Sequence, residues 1–154
     1  MGKVKPSKDY LFVGIQLLLF IAYTFNFSVL KFPINAYLQI SSIVVLSAGI
    51  LLGVLAVLQL NKNLSPFPTP KVGGYLVTNG AFALSRHPIY TAIILTGLGY
   101  GLYQESLFKM VITVSLWILF YFKSSYEEHL LTSKFPEYSD YQAKVGRFFP
   151  KLFK

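Results

Sequence analysis

Twenty-five consecutive residues, Ala36 to Leu60, read AYLQISSIVVLSAGILLGVLAVLQL and carry no charged side chain. As a helix this run is about 38 Å long, more than the roughly 30 Å of bilayer hydrocarbon, so it spans with some tilt. Hydrocarbon offers the backbone no hydrogen-bond partners, which leaves helices and closed barrels as the only spanning forms. A continuous apolar run, with no alternation of polar and apolar residues, selects the helix. Composition agrees: 54% of residues are hydrophobic and 13% charged, against about 25% charged in a soluble domain. An ordinary soluble protein is excluded.

Three further runs are candidate spans. Tyr10–Leu30 holds 21 uncharged residues, Ile89–Tyr103 is shorter, and Ser106–Phe122 is broken only by Lys109. The long stem of Lys109 is expected to snorkel to the interface. Gln104 and Glu105 supply a tight polar turn, so the last two runs read as a helical hairpin. The basic start MGKVKPSKDY precedes a run too long for the apolar part of a signal peptide, with no small-residue cleavage site, and reads as a retained span. Gly2 lacks a myristoylation signal, because Pro6 stands where that motif needs Ser or Thr. The predicted fold is all-α: a polytopic membrane protein of about four transmembrane helices in one domain, 1–154. Its parts are two N-terminal spans (1–60), a loop (61–88), the hairpin (89–122) and a tail of short helices (123–154).

Twelve of the 14 Lys and Arg residues fall on one side of this arrangement, and only Lys31 and Lys109 on the other. The positive-inside rule then puts both termini and the polar segments in the cytoplasm, with the inner membrane of a prokaryote as the expected location. The basic residues are scattered, which suits anionic lipid headgroups better than nucleic acid. In the loop, Pro66, Pro68 and Pro70 forbid a long helix, and Gly73-Gly74 and Asn79-Gly80 signal turns. In the tail, Glu127 and Glu128 lead into a short helix with Leu130, Leu131 and Phe135. A second helix begins near Pro136, with Tyr138, Tyr141 and Val145 at helical spacing and Gly146 to end it. This amphipathic, basic and aromatic tail is expected to lie against the bilayer surface.

Much chemistry is absent from the chain. There is no cysteine, the two histidines are too few for a histidine-rich metal site, and the carboxylates show no metal-ligand spacing, so no metal is expected. No serine sits in a nucleophile elbow. Gly97, Gly99 and Gly101 lie inside an apolar span and read as a close helix contact, not as a dinucleotide fingerprint. What remains is Arg86-His87-Pro88-Ile89-Tyr90 at the mouth of the third span. Pro88 suits a first helical turn, whose backbone N–H groups stay available to a ligand. Arg86 reads equally well as a positive-inside anchor, and Tyr90 as part of an aromatic belt. Lys123 and Glu127, four apart, share a face of a continuing helix, where a plain surface ion pair is the simpler reading. Two adjacent acids in a basic chain imply that at least one has a specific partner.

The strings GGYLVTNGAFALSRHPIYTA and KSSYEEHLLTSKFPEYSDYQAKVGRFFP, in their order and spacing, resemble the isoprenylcysteine carboxyl methyltransferase family and the related phospholipid methyltransferases. The match runs over about Lys71 to Pro150. It implies an integral membrane methyltransferase using S-adenosyl-L-methionine and releasing S-adenosyl-L-homocysteine. Carried onto this chain, Gly74, Tyr75, Leu76 and Val77 would line the cofactor loop, and Phe82 stands where the family usually has tyrosine. His87, Pro88, Ile89 and Tyr90 would contact the cofactor at the start of the third span, and Glu127 from the other side. Lys123 stands where better-known members carry a substrate-associated arginine. We assign Arg86 and Lys123 to catalysis, and Lys123 and Arg147 to the acceptor.

The chemistry of the cofactor agrees with these residue types. Helix-terminal N–H groups suit its carboxylate, Glu127 its ammonium or ribose diol, and Tyr75, Phe82 and Tyr90 its adenine or sulfonium. The expected acceptor is lipophilic, either a small molecule or a prenylated one. It would present an isoprenoid or lipid carboxylate and enter from the bilayer between helices, so carboxyl O-methylation leads. The alternatives are an NADPH-binding reductase of the much longer sterol-reductase type, and a non-enzymatic membrane scaffold.

Overall fold

The computed structural model describes residues 5–26 and 31–151, and among these it contains six α-helices and no strand. They are α1 (Ser7–Thr24), α2 (Ala36–Leu60), the single-turn α3 (Ala81–Leu84), α4 (Pro88–Tyr103), α5 (Leu107–Lys134) and α6 (Tyr138–Lys144). Two helices are long and apolar enough to cross a membrane: α2 with the 3₁₀ turn that continues it to Asn63, and α5. The centre of the bundle is α4, packed against α2 on one side and α5 on the other, while α1 lies along α5.

Glycine sets the closeness of that packing. A Cβ at Gly99 would meet the Leu46 backbone nitrogen of α2 at 2.5 Å, and one at Gly97 would meet the Thr113 hydroxyl of α5 at 2.8 Å. The glycines of α4 therefore serve helix contact, as their setting in an apolar run implied.

Helix ends follow local chemistry. At the start of α2, the Asn35 side chain accepts the Leu38 N–H at 2.9 Å. Pro88 opens α4 as its first residue. The α4–α5 turn is a Schellman motif: Ser106 N–H donates to the Gly101 carbonyl at 3.0 Å and Glu105 N–H to that of Leu102 at 2.9 Å. Glu105 takes the left-handed position, φ 52°, where glycine is usual. Its carboxylate compensates by accepting the Ile34 N–H at 3.3 Å. Ser106 closes this motif and also caps α5, accepting the Lys109 N–H at 3.3 Å. Phe32 N–H donates to the Glu105 carbonyl at 3.1 Å, so the turns before α2 and α5 meet at one end of the bundle.

Three expectations change. First, α1 stops at Thr24 and Phe25 is extended, so it ends short of the expected Leu30; residues 27–30 lie outside the described residues. Second, Lys109 does not snorkel. It is 2% exposed, and its Nζ donates to the carbonyls of Tyr23 at 2.7 Å and Phe25 at 3.4 Å. A cation among the free carbonyls at a helix C-terminus is favourably placed, and it accounts for the early end of α1. Third, α5 does not break after Phe122. No glycine or proline occurs between Lys123 and Lys134, so one helix of 28 residues carries the expected span and the first tail helix together. At about 42 Å it outruns the hydrocarbon by roughly two turns.

The rest of the tail turns inward. Tyr138, Tyr141 and Phe148 are buried, while Phe149 is exposed. The N–H groups of Arg86 and His87 donate to the carbonyls of Gly146 and Arg147 at 2.9 and 3.1 Å, and the Thr91 hydroxyl donates to that of Phe148 at 2.8 Å.

Candidate functional site

At the α4 N-terminus and the protruding end of α5, the two adjacent glutamates face different surroundings. Glu128 is buried and accepts four hydrogen bonds. Its Oε1 takes Arg86 Nε at 2.8 Å and His87 Nε2 at 3.0 Å; its Oε2 takes Arg147 Nη2 at 2.9 Å and the Gln142 amide at 3.1 Å. Arg86 also donates to the carbonyls of Gln142 and Val145 at the end of α6. With Nε2–H assigned as donor to Glu128, the other ring nitrogen of His87 faces Glu127 Oε2 at 3.8 Å.

Glu127 accepts one hydroxyl, that of Tyr90, at 2.8 Å. The Tyr90 ring stacks between His87, at 5.4 Å, and Phe120, at 4.5 Å. Lys123, one turn before Glu127, is 1% exposed. Its Nζ donates to the Gln16 side-chain oxygen at 2.6 Å and to the Pro66 carbonyl at 2.8 Å, and lies 5.3 Å from the Tyr90 ring centre.

These groups border a cavity of about 380 Å³, within the range of ligand pockets. Gly74, Tyr75, Leu76, Val77, Phe82, His87, Pro88, Ile89, Tyr90 and Glu127 all line it, as do Arg86 and Lys123. Arg147 is not in the lining. It sits behind the wall, donating to the Ser125 hydroxyl at 2.7 Å and to Glu128, with its guanidinium 5.0 Å from the Tyr121 ring centre.

Sequence reading passed over several members of the lining. Gln16 was detectable as a polar residue in an apolar span. Leu131, Phe135, Tyr138 and Tyr141 were legible as a helix stripe but carried no sign of a cavity. Tyr141 donates to the Phe82 carbonyl at 2.5 Å, fixing the loop before α4. Burial pushes its phenol up to about 12, with the Arg86 charge pulling the other way. Burial, joined by the charge of Glu128, raises Tyr138 too. Among the described residues no cluster of three or more His, Asp or Glu side chains could hold a metal ion.

A second, apolar groove of about 740 Å³ runs between α1, α2, α4 and α5. It shares Ile89 and Ile93 with the cavity and reaches Tyr23 and Tyr100.

The phospholipid methyltransferase family model matches residues 37–138, from α2 to the first residue of α6. The chain belongs to the phospholipid methyltransferase family. Among solved structures, it resembles the eukaryotic intramembrane Ras methyltransferase, isoprenylcysteine carboxyl methyltransferase, with a TM-score of 0.69 and 25% identity. That likeness covers 96% of this chain and 54% of the other.

Two curated relatives are each 36% identical over half of this chain. They are the nickel-cobalt-cadmium resistance protein NccN of Alcaligenes xylosoxydans xylosoxydans, over 80 residues, and the cobalt-zinc-cadmium resistance protein CzcN of Cupriavidus metallidurans, over 78. The matched stretch is 37% of the first and 36% of the second. This family member thus spans little more than a third of the curated relatives and about half of the solved methyltransferase.

Proposed function

We propose that this chain transfers a methyl group from S-adenosylmethionine to a lipophilic carboxylate, an isoprenoid or lipid acid, at the membrane. One observation carries the reading. A single cavity collects His87, Tyr90, Lys123 and Glu127 beside the Gly74–Val77 loop, and it touches an apolar groove through Ile89 and Ile93.

The residues fit the cofactor. Glu127 keeps lone pairs beyond the one used by Tyr90, enough for an ammonium or a ribose diol. Phe82 and Tyr75 offer rings in the same lining, and His87 at the α4 N-terminus is held in orientation by Glu128. The cofactor's sulfonium would supply the methyl group in electrophilic form.

The chain's own task is to hold and orient. Lys123 is the cation for the acceptor's head: among the described residues it makes no ion pair, and Gln16 and Pro66 fix its position by neutral contacts. A carboxylate arrives already ionised, so the site needs no general base, and rate comes from alignment. The apolar groove suits the acceptor's hydrocarbon, with Ile89 and Ile93 at the boundary between chain and head.

We place α1, α2, α4 and α5 as four spans, with both termini and the cavity on the cytoplasmic side of a prokaryotic inner membrane. The charge split supports this, as does the meeting of the turns at Phe32 and Glu105 at one end.

The test is purified protein in detergent with methyl-labelled S-adenosylmethionine and a panel of isoprenoid acids, lipid acids and lipid amines. Label in an apolar ester is the expected result. Folded protein that gives no heat with S-adenosylhomocysteine would overturn the reading, and binding of NADPH in its place would favour a reductase.

A further inference from the structure

Tyr138 is 1% exposed, and its hydroxyl is buried with no hydrogen-bond partner. A buried phenol left unpaired is less stable than the phenylalanine that would fill the same space. Its neighbour on α6 shows the contrast. Tyr141, three residues on and in edge-to-face contact at 5.7 Å, has its hydroxyl on the Phe82 carbonyl. One tyrosine of the pair holds the fold together, and the other has a polar group to spare.

Tyr138 lines the cavity together with Leu60, Val77, Phe82, Leu131 and Phe135. Of the charged residues there, Arg86 and His87 are held by Glu128, Lys71 and Lys134 by backbone carbonyls, and Glu127 and Lys123 are assigned above to the cofactor's polar end and to the acceptor. Burial and the charge of Glu128 keep the phenol protonated, so it is a neutral donor. Thr69 also lines the cavity with an unpaired hydroxyl. Its own N–H donates to Asp9 Oδ2 at 3.3 Å, and Asp9 Oδ1 is likewise unpaired, so both orphaned atoms belong to one Thr69–Asp9 contact.

The apolar and aromatic side chains in this lining, together with a neutral donor that has no protein partner, match a flat heteroaromatic base, which has apolar faces and acceptor nitrogens at its edge. We propose that the Tyr138 hydroxyl donates to the adenine of the nucleoside cofactor and so selects that base. The assignment rests on the methyl-transfer reading above.

Calorimetric titration of the full chain in detergent tests it, using S-adenosylhomocysteine and methylthioadenosine, which keeps the nucleoside but lacks the amino-acid end. Tyr138→Phe should weaken both ligands about tenfold, the loss of one hydrogen bond. Its unfolding temperature should stay level or rise. Tyr141→Phe should instead lower the unfolding temperature. Tyr138→Phe binding both ligands like the parent overturns the assignment, and so does weakening confined to S-adenosylhomocysteine, which would move the contact to the amino-acid end. A drop in unfolding temperature for Tyr138→Phe would also overturn it, by showing a structural partner. A parent protein that binds neither ligand removes the methyl-transfer reading and this assignment with it.

Discussion

Glu127 and Glu128 share a peptide bond and almost nothing else. Glu128 is saturated, with two guanidinium groups, an imidazole and an amide drawn from the α4 mouth, from α6 and from the tail. Glu127 borders the cavity and holds one tyrosine hydroxyl. A carboxylate whose lone pairs are all taken is scaffold. One with capacity left beside an open space is available to a ligand. A run of two acids cannot announce which is which, because a turn of 100° on the helix separates the two environments.

Substitutions can break the contrast, and the largest effect is expected at Glu128. Glu128→Ala leaves two arginines facing each other without their counter-ion and should cost roughly 3–5 kcal/mol, read as a large fall in unfolding temperature in detergent. A near-native melting curve would show that the cluster is not the scaffold. Glu127→Gln comes next. It should keep stability and lose about 1.5–3 kcal/mol of cofactor binding, roughly ten- to a hundredfold in affinity. Unchanged affinity for S-adenosylhomocysteine would return Glu127 to the scaffold.

Lys123→Met sharpens the comparison from the acceptor's side. Cofactor affinity should change little, while turnover falls about tenfold or more because the acceptor's developing contact with a cation is gone. Equal loss in both would place Lys123 with the cofactor. The smallest effect belongs to Arg147→Gln. Three donors remain on Glu128, so about 1 kcal/mol of stability should go. The Michaelis constant for the acceptor should not move, although the sequence alone had put this residue at the acceptor.

The helical frame was largely legible. Ala36–Leu60 is α2 to the residue, and Pro88 does open α4. The missing pieces have physical causes. The end of α1 depends on Lys109, some 85 positions away, and no local propensity encodes it. The unbroken α5 was readable from the lack of helix breakers in Lys123–Lys134, but a change in polarity was mistaken for an end. Residues at the cavity came from an ordered set of short strings that resemble a family. Glu128 escaped because its partners come from positions 86–87, 142 and 147, which only the return of the tail brings together.

That return has a consequence in time. The backbone of Arg86 and His87 is pinned by Gly146 and Arg147, and Thr91 by Phe148. Synthesis proceeds at about 5–20 residues per second from the N-terminus, so every long helix exists before these anchors do. A nascent chain can settle its apolar helices into the bilayer while the mouth of α4 is still unfastened, and a chain cut short before Gly146 would keep its long helices and lose these anchors. On the proposed reading, the Gly146–Phe148 segment fastens the cofactor's side of the cavity only after the long helices have formed.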